Sequence, residues 1–158
     1  MPVQSADILI ADEIVSAINA AELSLDVTAE RLYAADWDIK AELSTLQVGV
    51  WPAETTAEAW QRNKLQRTYR IGITFAKRVS AATIATLDAL CDLVEEVVAL
   101  IELSLATLDD GRAFVNQGWE YVMRFDANRL DRNKGADEIV RYTGVFASMV
   151  SFDFASLE

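Results

Sequence analysis

Few side chains in this sequence could carry out chemistry, and their spacing limits what each can do. Cys91 is the single cysteine, and the 158 residues include no histidine. The usual general base, the commonest metal ligand and the physiological pH switch are therefore missing. One cysteine excludes an internal disulfide and a cysteine-rich zinc site. Cys91 falls on the apolar seam of a helical repeat, where a thiol reads as core rather than as an activated nucleophile. Glu95 and Glu96 are neighbours, but adjacent helix positions splay about 100° apart and cannot address one substrate atom together. Asp36 and Asp38 share a face if that segment is extended, and could then hold a cation weakly; a solvated loop is the simpler reading. Asp109-Asp110-Gly111 lacks the ligand spacing of a calcium loop and reads as a helix stop. The six glycines form no Walker or dinucleotide pattern, and there is no nucleophile elbow. These side chains predict a protein that is not an enzyme and holds neither metal nor cofactor.

Charge says more. The chain has 14 Lys and Arg against 25 Asp and Glu, a net charge of −11 that argues against tight binding to a phosphate backbone. The excess is uneven. Residues 1–58 hold two bases and eleven acids, residues 59–87 hold six bases and no acid, and residues 88–111 hold seven acids and no base. The six bases are Arg62, Lys64, Arg67, Arg70, Lys77 and Arg78, so one basic arm is set in an acidic body. Two readings stand side by side: solvated faces of a strand and a helix, or complementary surfaces through which copies of the chain associate.

The elements that must position these groups follow from periodicity. Ser5 to Ala20 reads as a helix with Ile10, Ile14 and Ile18 on one face and Ser5 as its N-cap. Leu23, Leu25 and Val27 alternate with polar residues and start a strand predicted to reach about Tyr33. Leu46 to Trp51 reads as a short strand stopped by Pro52, followed by a polar excursion over 53–63. Leu65 to Phe75 gives the clearest alternation in the chain, and with the preceding strand it suggests a long hairpin with a protruding tip. Ser80 caps a helix predicted over Ala81 to Ala106, whose widened apolar stripe fits a core helix across a sheet better than a coiled-coil seam. A second hairpin follows. Trp119 to Phe125 alternates, 127–138 is a polar loop, and Ile139 to Phe154 is a long strand with Val140, Tyr142, Phe146, Val150, Phe152 and Phe154 on one face.

The order α-β-β-β-α-β-β predicts an α+β fold. It comprises a mixed or antiparallel sheet of about five strands with two helices packed on one face. Residues 1–158 read as a single domain with projecting loops at about 53–64 and 127–138. The N-terminus has no basic region ahead of its apolar stretch, so it does not read as a signal peptide. Asp88, Asp92, Glu95, Glu96 and Glu102 are too dense for a membrane span, and a cytoplasmic origin is expected.

Two projecting segments are candidate contacts. Trp60 lies in the most polar stretch beside Arg62 and Lys64, with Arg67 further on; it could anchor an interface or fold back on its own hairpin. Arg129, Arg132 and Lys134 lie in the second loop, where partner contact and plain solvation are both open.

The run of elements resembles the tail-terminator, or tail-completion, proteins of long-tailed bacteriophages and their prophages. The resemblance is carried by Ile8 to Val15, Thr28-Ala29-Glu30-Arg31-Leu32-Tyr33 and Leu46-Gln47-Val48-Gly49-Val50-Trp51-Pro52. It continues through Tyr69-Arg70-Ile71-Gly72-Ile73, the helix Leu87 to Glu96 and the terminal strand Arg141 to Phe152. It implies a homo-oligomeric ring, usually a hexamer, that caps the tail tube and joins it to the head-side connector protein. Such a ring resides in the virion neck, is assembled in the host cytoplasm, and has no catalytic residues to carry over. DNA would pass through without sequence-specific binding, which an acidic balance favours. A head-completion or connector component of the same neck is the nearest alternative, and a non-viral small binding module the next.

Overall fold

The computed structural model describes residues 5–33, 46–62, 64–78, 84–102, 105–107, 113–123 and 145–156. The elements are α1 (Ala6–Ala20), β1 (Ala29–Arg31), β2 (Gln47–Gln61) and β3 (Lys64–Arg78). They continue with α2 (Ile84–Glu102), β4 (Leu105–Thr107), β5 (Ala113–Met123) and β6 (Val145–Ser156). The strands form one sheet in the order β1-β2-β3-β6-β5-β4. Only β1 and β2 run parallel; every other pair is antiparallel. This is the α+β architecture expected from the sequence, a mixed sheet with both helices on one face. The three-residue β4 adds a short ladder at the rim.

Period-2 patterning fixes which face is covered. Val48 and Val50 of β2 stand opposite Phe75 and Ile73 of β3. Ile73, Ile71 and Tyr69 in turn face Val150, Phe152 and Phe154 of β6. All of these are buried, and they pack with Ile10, Ile14 and Ile18 of α1 and with Leu90, Val94, Val97, Val98 and Ile101 of α2. Each such side chain removed from water contributes about 1.5–3 kcal/mol, so this stripe dominates the stability of the fold.

Local chemistry fixes the joins. Ser5 precedes α1 but makes no side-chain cap; its hydroxyl donates to Asp7 Oδ1 at 2.7 Å, and the Ile8 N–H donates to the same oxygen at 2.8 Å. Asp7 therefore fills the capping role expected of Ser5. Asn19, on the last turn of α1, holds β1 by both ends of its amide. Its Oδ1 accepts from Ala29 N–H at 2.7 Å and its Nδ2 donates to Ala29 O at 3.1 Å. Arg31 Nε meets Asp12 Oδ1 at 2.8 Å, a second tie between β1 and α1.

Several boundaries differ from the sequence reading, among them the start of β5, at Ala113 rather than Trp119. The strand predicted from Leu23 pairs only over Ala29–Arg31. Leu23, Leu25 and Val27 do turn inward, half-buried against the core, but their backbone pairs with no strand among the described residues. Instead Ser24 gives its N–H and hydroxyl to Glu96 at 3.3 and 2.6 Å. Pro52 does not stop β2: β1 stops first, at Val50, and beyond it β2 is an edge strand among the described residues, the position where a missing N–H costs no ladder bond. A bulge at Ala53 lies directly after it, and 53–61 is strand rather than loop. The second helix ends at Glu102, and Leu105 and Ala106, predicted in its last turn, belong to β4, which pairs with β5. The free edge of β5 supplies ladder partners there, and tertiary pairing overrides helical periodicity. Ser80, the Asp109 stop and the loop 127–138 lie outside the described residues.

Candidate functional site

The basic arm is the far end of the β2–β3 hairpin. β3 pairs with β6 only from Thr68 onward, and β1 reaches only Val50 of β2. Residues Ala57–Gln61 and Lys64–Arg67 therefore form a two-stranded ribbon with no further strand on either edge among the described residues, about 16 Å long at 3.3 Å per residue.

The Ala53 bulge decides which way its side chains point. Before it, even positions of β2 share the helix-covered face with odd positions of β3, as Val50 does with Ile73. After it, odd positions of β2 do so: Thr55 opposite Tyr69, Ala57 opposite Arg67, Ala59 opposite Leu65. The covered face of the sheet thus runs on into the arm as Thr55, Ala57, Ala59, Leu65 and Arg67. Tyr69 is the last buried residue on this line, edge-on to Phe114 at 5.5 Å. Beyond it every one of these side chains is exposed, Leu65 to 65 %. The opposite face of the arm is polar, with Glu58 opposite Gln66 and Glu54 opposite Arg70.

Of the residues singled out in the sequence, Arg62 is exposed in the turn and Arg67 is exposed on the smoother face. Trp60 and Lys64 belong to the two strands of the same arm. Arg129, Arg132 and Lys134 lie outside the described residues, as do Asp36 and Asp38.

The acidic surface is α2. Leu90, Leu93, Val94, Val97, Val98 and Ile101 are buried, which turns Ala85, Asp88, Asp92, Glu95, Ala99 and Glu102 outward at three- and four-residue steps. Glu95 and Glu96 diverge as helix geometry requires, Glu95 accepting from the Tyr121 hydroxyl and Glu96 from Ser24. Glu102 accepts from Trp119 Nε1 at 3.3 Å. No Lys or Arg among the described residues forms an ion pair with Asp88, Asp92 or Glu102.

The uncovered face of the sheet holds a polar cluster that sequence reading missed. The Trp51 indole lies on Gly72, so close that a Cβ there would sit 2.7 Å from Trp51 Cε2, and its Nε1 donates to Thr74 Oγ1 at 3.1 Å. Next to it Arg70 donates through Nε and Nη2 to the two carboxylate oxygens of Asp153, at 3.0 and 3.4 Å, and lies 3.9 Å from Glu54. Hydrogen bonding to Asp153 raises the Arg70 pKa above its ordinary value, so this guanidinium stays charged. Arg70 alone was visible in the sequence; its partners follow only from strand register.

Cys91 is half-buried against the core. Among the described residues no three His, Cys, Asp or Glu converge to hold a metal. A cleft of about 370 Å³ is lined by Asp26, Thr28, Glu30, Leu46 and Gln47, which pair no base with a nucleophile. No helix among the described residues is long and apolar enough to cross a membrane. No protein-family model matches the sequence, and no curated protein matches it.

Proposed function

We propose that this chain is a structural assembly protein of a long-tailed bacteriophage virion, a ring-forming tail terminator that caps the tail tube and joins it to the head connector. The observation that carries the reading is the projecting arm, a basic ribbon whose Ala57, Ala59, Arg62, Leu65 and Arg67 are exposed and whose outer end pairs with no other strand among the described residues. A ribbon of two strands is marginal alone in water, which favours a surface on a neighbour. The outward acids of α2 offer surface of the opposite sign. The resemblance in element order adds the location, the neck between tail tube and head-side connector. The net charge of −11 suits a passage through which DNA slides without adhering.

Negative-stain imaging of the purified protein, alone and mixed with tail tubes, tests this. Six-fold rings seated at tube ends support it. A twelve-fold ring that binds the head side and ignores tubes assigns the chain to the head connector instead. A protein that stays monomeric and never associates with tubes overturns it.

A further inference from the structure

We infer that the arm of one copy lies along the exposed stripe of α2 on a second copy, with Arg62 and Arg67 against Asp88 and Asp92. The inference rests on the self-association in the proposed function, and not on its location in a virion.

The arm continues the covered face of the sheet past the point where its own helices stop. Over the body of the sheet that face is closed by α1 and α2, which pack on β1, β2 and β3 and on β5 and β6 respectively. On the arm the same face presents Ala57, Ala59, Leu65 and Arg67 to solvent. Small residues, one leucine and a cation form a shallow surface of a kind that a helix can cover.

The outward stripe of α2 matches it in shape, length and charge. Ala85 and Ala99 bracket Asp88 and Asp92, so the backbone of a ribbon can come close while the carboxylates meet cations. From Ala85 to Ala99 the helix rises about 21 Å, enough to seat a ribbon about 16 Å long. Its own copy does not supply the contact, because α2 packs over β5 and β6 while the arm leaves the sheet beyond Thr68 of β3.

Arm and helix are different patches, so the contact is head-to-tail. Each copy gives an arm and receives one, and a repeated contact of this kind closes into a ring or runs on as a filament. The arm is thus the element that fixes the register of one subunit on the next.

Charge reversal with complementation tests this. One variant carries Arg62→Glu and Arg67→Glu, the other Asp88→Lys and Asp92→Lys, and each is checked for wild-type far-UV circular dichroism. Sedimentation equilibrium is expected to show wild-type assembly and, for either variant alone, association weaker by about tenfold or more. An equimolar mixture is expected to regain assembly, since acidic arms then meet basic helices and basic arms meet acidic ones. Ala57→Trp, which changes no charge and suits an exposed strand, is expected to weaken association as well, and it decides the matter if a reversal variant does not fold. Variants that assemble like wild type, a mixture that stays apart, or a wild-type protein that is monomeric throughout overturns the inference. Full complementation by a protein that ignores tail tubes leaves this contact standing and sinks the tail-terminator reading.

Discussion

Replacing Gly72 by alanine should destabilise the fold because of Trp51, and the sign of the effect should reverse when Trp51 is removed. A Cβ at position 72 would stand 2.7 and 2.8 Å from Cε2 and Cζ2 of the indole, well inside contact distance. The ring must then tilt away. That breaks its 3.1 Å bond to Thr74, worth about 1 kcal/mol. An off-rotamer indole adds about 0.5–1.5 kcal/mol. Alanine regains about 0.5–1 kcal/mol over glycine through chain entropy in a strand. The expected net loss is about 0.5–2 kcal/mol, each kcal/mol corresponding to about 2–4 °C in Tm at this size. In a Trp51→Thr background the clash is gone, and the same substitution should stabilise by about 0.5–1 kcal/mol. Urea denaturation of the four proteins of this cycle measures the coupling, expected near 2 kcal/mol against about 0.3–0.5 for independent sites. An equal effect of Gly72→Ala in both backgrounds would refute the claim that the indole holds this position as glycine.

Three further outcomes are expected. Phe152→Ala, at a side chain 0 % exposed within the core cluster, should cost about 3–5 kcal/mol in the same denaturation assay. Asn19→Ala removes both bonds to the Ala29 backbone, so a loss of about 1–2 kcal/mol is expected, with faster amide exchange at Ala29 and Leu32 than elsewhere in the sheet. Asp153→Asn should cost under about 1 kcal/mol, because the Arg70 side chain it faces is 40 % exposed, and added salt should shrink even that difference.

Elements whose apolar period and backbone pairing agree were legible in the sequence. β3 and β6 alternate cleanly because one face meets the helices, and Ile71 and Phe152 sit where alternation puts them. The charge reading of the arm also located its bases, since Arg62 and Arg67 are exposed there. Other features depend on a partner strand. Leu23, Leu25 and Val27 alternate in burial without pairing, because sidedness needs only a core beneath while a ladder needs an open edge beside. Leu105 fits a helical step as well as a strand, and only the edge of β5 decides between them. The smoother face of the arm was hidden for a sharper reason. Ala57 and Ala59 point with the core only because Ala53 adds one residue to β2, and a local sequence window carries no mark of such an insertion. Trp51 and Gly72 likewise meet only once register is set.

The sheet is broad at its centre and tapers to three-residue strands, β1 and β4, at its rims. A foreign strand docking on either rim strand would find only a few backbone groups to pair with, too short a template for fibre growth. Each rim strand is thereby a poor template for edge-to-edge aggregation. Among the described residues the longer open edges are β2 beyond Val50 and β5 beyond Val115, and on the arm exposed Arg62, Arg67 and Glu58 act as gatekeepers against strand addition. Stripping those charges should leave the fold intact and lead to thioflavin-positive precipitation.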